Sequence, residues 1–87
     1  MTPKQKEVYE TLRTIVIRIL SKELSDANEI ELTQETHLKN DLGFDLLDIV
    51  NLIEETEKEF NISISDEQVE EINTFGDLQK VVEDKVS

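Results

Sequence analysis

The chain has 87 residues, no cysteine, and 21 acidic against 9 basic side chains, for a formal net charge of −12. That charge repels phosphate backbones and anionic lipid headgroups within the ~10 Å screening length of ~0.1 M salt, which excludes nucleic-acid and membrane-surface functions and favours partners with basic patches. A chain of this length is expected to form one domain over residues 1–87, burying only ~60% of its unfolded surface, and without disulfides or a zinc site it must rely on helix packing.

From Lys4 to Leu24 the apolar residues Val8, Leu12, Ile15, Val16, Ile19 and Leu20 recur at three- and four-residue steps, which predicts a long amphipathic helix. Pro3 suits its first turn, where a missing amide hydrogen costs nothing. Charges at Lys4, Lys6, Glu7, Glu10, Arg13 and Arg18 break any apolar run, so neither a signal peptide nor a membrane span is expected, and a cytoplasmic protein is the default. Residues 26–40 lack periodicity and are rich in Asn, Thr, Glu and Asp; they read as a long loop anchored by Ile30, Leu32 and Leu38. Loops of that length are uncommon in short-turn helical bundles.

Asp45 is placed to cap the second helix by accepting hydrogen bonds from the free amides of its first turn, and Gly43 permits the turn before it. Counting from this cap, Leu46 is the first helical residue and Asp48 the third. Ile49 is the fourth, so Phe44 and Ile49 can close a hydrophobic staple. Ile49, Leu52, Ile53, Thr56 and Phe60 share the core face at about 100° per residue, and Leu46 lies at its edge, roughly 60° from the centre. Leu47 and Val50 project away from that face beside Glu54 and Glu57, an exposed apolar spot with an acidic rim.

Ser65-Asp66-Glu67-Gln68 fits a capping box opening a short third helix, Asp66 to Glu71, tethered by Ile62, Ile64, Val69 and Ile72. Thr74 can cap a final helix whose buried stripe is Phe75, Leu78, Val81, Val82 and Val86. The predicted fold class is all-α: three main helices plus one short one, with a long loop after the first.

Asp41-Leu42-Gly43-Phe44-Asp45-Leu46-Leu47-Asp48 resembles the Asp-Leu-Gly-x-Asp-Ser-Leu prosthetic-group site of acyl carrier proteins. The resemblance runs through nearly the whole chain, including Ile62-Ser63-Ile64-Ser65-Asp66-Glu67, where family members commonly have Ile-Pro-Asp-Glu and Ser65 replaces the proline. It implies a carrier for fatty-acid or related acyl-chain biosynthesis, with 4'-phosphopantetheine on the serine at the helix start. That position suits an anionic phosphodiester, which is stabilised by free amides and the positive end of the helix dipole. In this chain Leu46 occupies the serine's place and carries no heteroatom to esterify, so no cofactor is attachable as the sequence stands.

The resemblance further implies docking of Leu47, Val50, Glu54 and Glu57 against basic patches on synthase and transferase enzymes, by a monomer that is not itself an enzyme. Three functions follow: an acyl carrier scaffold with an altered attachment residue, an interaction module or regulatory paralogue that never carries a cofactor, and a metal-dependent sensor. The leucine could be natural or a substitution made to block modification, or it could simply be a good helix former. The last of the three functions is weakest, because Asp41, Gly43 and Asp45 match a calcium loop poorly: Gly43 lacks a side-chain oxygen and Leu46 sits where glycine is required. Adventitious divalent binding by Asp45, Asp48, Glu54, Glu55 and Glu57 is compatible with the charge. His37, the sole histidine, has no cysteine with which to build a zinc site or triad.

Overall fold

In the computed structural model, which describes residues 2–20 and 32–86, the chain forms α1 (Pro3–Leu20), α2 (Leu46–Phe60), α3 (Asp66–Glu71) and α4 (Phe75–Val86). No β-strand occurs among the described residues. The expected architecture of three longer helices and one short one is what forms.

Each helix starts with local chemistry. Thr2 Oγ1 accepts the Gln5 amide at 3.2 Å and Gln5 Oε1 accepts the Thr2 amide at 2.9 Å, a reciprocal cap that leaves Pro3 at the first position, where its missing donor is harmless. Ser65 and Gln68 make the corresponding capping box for α3. Thr74 Oγ1 accepts from the Asp77 amide at 3.1 Å, and Asp77 Oδ2 accepts from the amides of Thr74 and Asn73 at 3.1 and 3.0 Å, opening α4. The Asn73 amide is the chief reason the Asp77 carboxyl is held below its ordinary pKa; partial burial opposes it, and Thr74 and Lys80 reinforce it.

α1 packs against both α2 and α4. Its buried stripe of Val8, Leu12, Ile15, Val16, Ile19 and Leu20 meets Ile49, Leu52 and Ile53 of α2 and Phe75, Leu78 and Val82 of α4 in one core. Tyr9 stacks edge-on to Phe75 at 5.5 Å and 73°, and its hydroxyl donates to the Leu32 carbonyl at 2.8 Å, so one side chain joins helix, loop and core. Thr56 is fully buried and satisfied by donating to the Leu52 carbonyl at 2.7 Å. Phe60 and Val86, expected among the buried residues, are only partly covered because each is the last residue of its helix, and Val81, in the middle of α4, is also only partly covered.

The described part of the long loop is held by backbone bonds. Gln34 and Thr36 present carbonyls to the amides of Gly76 and Phe75 at 3.0 and 2.8 Å, and Leu38 donates to the Asn73 carbonyl at 3.0 Å. The loop therefore satisfies amides at the start of α4 that have no partner inside the helix. Leu32 and Leu38 are buried anchors, as expected. Ile30 and the predicted helical residues 21–24 lie outside the described residues.

Candidate functional site

The segment leading to α2 is a single closed turn. The amides of Asp41 and Leu42 donate to the His37 carbonyl at 2.9 and 3.2 Å, Gly43 donates to Lys39 at 3.1 Å, and Phe44 reaches back to Leu38 at 3.1 Å. The Gly43 bond, with Gly43 at φ +72°, is an αL-type closure, in which glycine takes the left-handed conformation at no Cβ cost, and the Phe44 bond spans the whole turn. Phe44 and Leu38, the two ends of the longer bond, are both buried and pin the turn to the core. At the other end His37 caps the turn: its Nδ1 accepts the Asn40 amide at 3.1 Å, and its own amide donates to Asp41 Oδ2 at 2.7 Å. Sequence reasoning treated His37 only as a missing catalytic or metal ligand and overlooked this role.

The chain then enters α2 as the residues dictate. Asp45 is extended at φ −91° and ψ −174°, its Oδ1 accepts the Asp48 amide at 2.9 Å, and Asp48 Oδ2 accepts the Asp45 amide at 3.2 Å. Phe44 and Ile49, both buried, flank the cap as a staple. Leu46 is thereby fixed at the first helical position, over the amide-rich positive end of the helix. Its side chain is 73% exposed. It therefore adds little to the core, although its helical phase puts it at the edge of the core face.

Leu46, Leu47 and Val50 are the exposed large hydrophobic residues among the described part of the chain. At about 100° per residue they span about 100° of the helix surface, and Glu54 and Glu57 continue the same stripe toward the C-terminus. The two acids are not equivalent. Glu54 is exposed, whereas Glu57 is half-buried and its Oε2 accepts the Ile64 amide at 2.8 Å. Beside the stripe, a cavity of about 210 Å3 between α2 and α3 is lined by Val50, Ile53, Ile64 and Val69 together with the acids Glu54, Glu57 and Asp66.

The remaining acids of α2 are dispersed. Asp45 and Asp48 satisfy each other's amides, and Glu55 pairs with Arg18 of α1 at 3.6 Å. Among the described residues no three His, Cys, Asp or Glu side chains converge as metal ligands, and no helix is long and apolar enough to cross a membrane. Gln79, buried on α4, accepts from Gln34 Nε2 at 2.5 Å and donates to Glu83 at 3.1 Å. Its partner Gln34 is 45 residues away, so no sequence signal announced it. The Thr2 cap and the Asp77 half of the Thr74 cap were also missed, although Thr-x-x-Gln and Thr-x-x-Asp are the signals that would have found them.

Comparison with known proteins agrees with this geometry. The sequence family described as "Phosphopantetheine attachment site" matches residues 10–82. A solved structure from Mycobacterium tuberculosis, of a protein provisionally designated an acyl carrier protein, superposes with a TM-score of 0.78 at 34% identity, covering 87% of this chain and 95% of that one.

Proposed function

The chain belongs to the acyl carrier protein family, the family of the phosphopantetheine attachment site, and from that premise we propose that it is a carrier scaffold of fatty-acid or related acyl-chain biosynthesis that cannot be loaded as its sequence stands. The observation that carries this reading is Leu46 at the first position of α2, directly after the Asp45 cap. A phosphodiester to 4'-phosphopantetheine needs a nucleophilic oxygen there, and a leucine side chain has only carbon and hydrogen. The rest of the site is intact around it: the turn closed by Gly43, the capped helix start, and a positive helix end suited to an anionic phosphate.

In this reading the protein is not an enzyme. It acts in the cytoplasm as a monomer and meets synthases and transferases through Leu47, Val50 and Glu54, whose apolar and acidic character complements a basic docking face. Glu57 was expected in the same role. Its bond to Ile64 gives it an internal task, which leaves Glu54 as the acid freer to meet a partner.

A second reading, an interaction module or regulatory paralogue that never carries the arm, is favoured by the exposure of the same apolar residues without any attachment chemistry beside them. Incubation with coenzyme A and a phosphopantetheinyl transferase, followed by intact-mass measurement, tests the first reading: no adduct is expected, and a covalent addition would overturn the block. Leu46→Ser separates the two, since modification of that variant supports a carrier lineage and failure to modify it favours the module.

A further inference from the structure

We infer that Leu46 is itself a docking residue: with Leu47 and Val50 it forms an apolar anchor that seats in a basic-rimmed apolar socket of a carrier-dependent enzyme, so that the chain occupies the docking face without delivering an arm. This rests on the proposed docking role of α2 and adds to it the one residue that role had treated as merely inert.

Folding does not account for Leu46. The helix start is secured by Asp45, Asp48, Phe44 and Ile49, none of which needs a large apolar neighbour at the first helical position. At 73% exposure the side chain contributes little to the core. What it does is extend an apolar surface. Leu46, Leu47 and Val50, at 73%, 72% and 42% exposed, stand at positions i, i+1 and i+4, spanning about 100° of the first turns. Contiguous exposed hydrophobic residues rimmed by charge are the usual form of an interaction surface.

The charge identifies the occupant. Asp45, the cap directly before Leu46, and Glu54, one turn beyond Val50, are both exposed and flank the patch on a chain of net charge −12. Pairing of two copies through this face would bring like-charged rims together, which disfavours it. A basic protein face instead gains steering from the rim and desolvation from the leucines. Glu54 lies ~12 Å along the helix from Leu46 at ~1.5 Å per residue, so the partner needs an apolar socket with a Lys or Arg about that far away. An arm-bearing carrier presents a phosphodiester at the helix start. A leucine there fills the corresponding opening with hydrocarbon, and the complex formed is a dead end.

The test uses the full chain, its Leu46→Gln, Leu46→Met and Glu54→Gln variants, and a ketoacyl synthase of the source organism, with affinities measured by calorimetry at fixed salt. None of these forms offers a serine at position 46, so differences in loading do not enter. The expected result is that Leu46→Gln binds about tenfold more weakly, Leu46→Met binds like the parent, and the parent competitively inhibits the synthase acting on a loaded carrier. Equal affinities for Leu, Met and Gln at position 46, with Glu54→Gln still weaker, would overturn the anchor and leave the docking reading standing. Absence of binding by every form, or binding indifferent to Glu54, would overturn both.

Discussion

The carboxylate of Glu57 accepts the Ile64 amide at 2.8 Å, which ties the last turns of α2 to the strand-like segment that leads into α3. Asn61, in the left-handed region at φ 55°, reverses the chain between them, and Ile64 is buried at 7% exposure. Loss of the carboxylate leaves a part-buried amide without its acceptor. Hydrogen bonds to charged groups contribute ~1.5–3 kcal/mol, and partial exposure of Glu57 lowers that to about 1 kcal/mol. Glu57→Ala should therefore lower the thermal midpoint by ~4–8 °C, whereas Glu54→Ala, on the same stripe but exposed, should stay within ~0.5 kcal/mol of the parent. Parallel thermal melts of the two variants check this, and equal midpoints would remove the distinction between the acids.

The two glycines should respond to alanine in different ways. Gly43 has open space where a Cβ would go but sits at φ +72°, so Gly43→Ala costs about 1 kcal/mol of left-handed strain. A Cβ on Gly76 would lie 2.6 Å from the Gln34 carbonyl oxygen, the same atom that accepts the Gly76 amide at 3.0 Å. That contact is with backbone, so Gly76→Ala must push the loop off α4, at a cost of ~1–3 kcal/mol and the loss of its capping bonds. Urea denaturation should rank Gly76→Ala below Gly43→Ala, with hydrogen exchange at Phe75 and residue 76 accelerated only in the former.

The start of α2 was legible because all its parts are neighbours. Gly43, Phe44, Asp45, Asp48 and Ile49 lie within seven residues, and each plays the part that its chemistry and offset predict. The core stripes of α1, α2 and α4 were legible through their helical period, except at Phe60 and Val86, the last residues of α2 and α4, and at Val81, which are only partly covered. Two things could not be read. The Glu57 bond to Ile64 crosses a helix end and reverses chain direction, and the Gln79 bond to Gln34 spans 45 residues, so neither leaves a periodic trace. The exposure of Leu46 was not legible for a related reason: helical phase puts it at the edge of the core face, but how far that edge is covered is a tertiary fact.

Asp77 makes stability depend on acidity in a definite direction. Its carboxyl is held below its ordinary pKa chiefly by the Asn73 amide, so the folded state favours the ionised form. The stabilisation is fully present above the unfolded value of ~3.9 and is lost as pH falls through the lower folded value. Exposure to solvent limits its size to below about 1 kcal/mol. Relief of repulsion among the 21 acidic residues acts over the same range, so the parent alone does not isolate it. The gap between parent and Asp77→Asn does. That gap should be constant from pH 7 to about pH 5 and should shrink below about pH 4; a gap that widens on acidification would reverse the sign.

Leu46→Ser should be almost neutral for folding, although it decides the proposed chemistry. Burial of a whole leucine side chain is worth ~1.5–3 kcal/mol, but at 73% exposure most of that area stays in water in both states. Serine at the first helical position keeps the Asp45–Asp48 cap unchanged and adds a hydroxyl beside free amides, offsetting its slightly poorer helix propensity. The thermal midpoints of the two forms in the same buffer should agree to within ~0.5 kcal/mol of stability. A serine form clearly less stable than the parent would mean that Leu46 packs against the protein's own surface, which would remove the physical basis for assigning it to a partner. A serine form clearly more stable would refute the expectation that the leucine costs folding nothing.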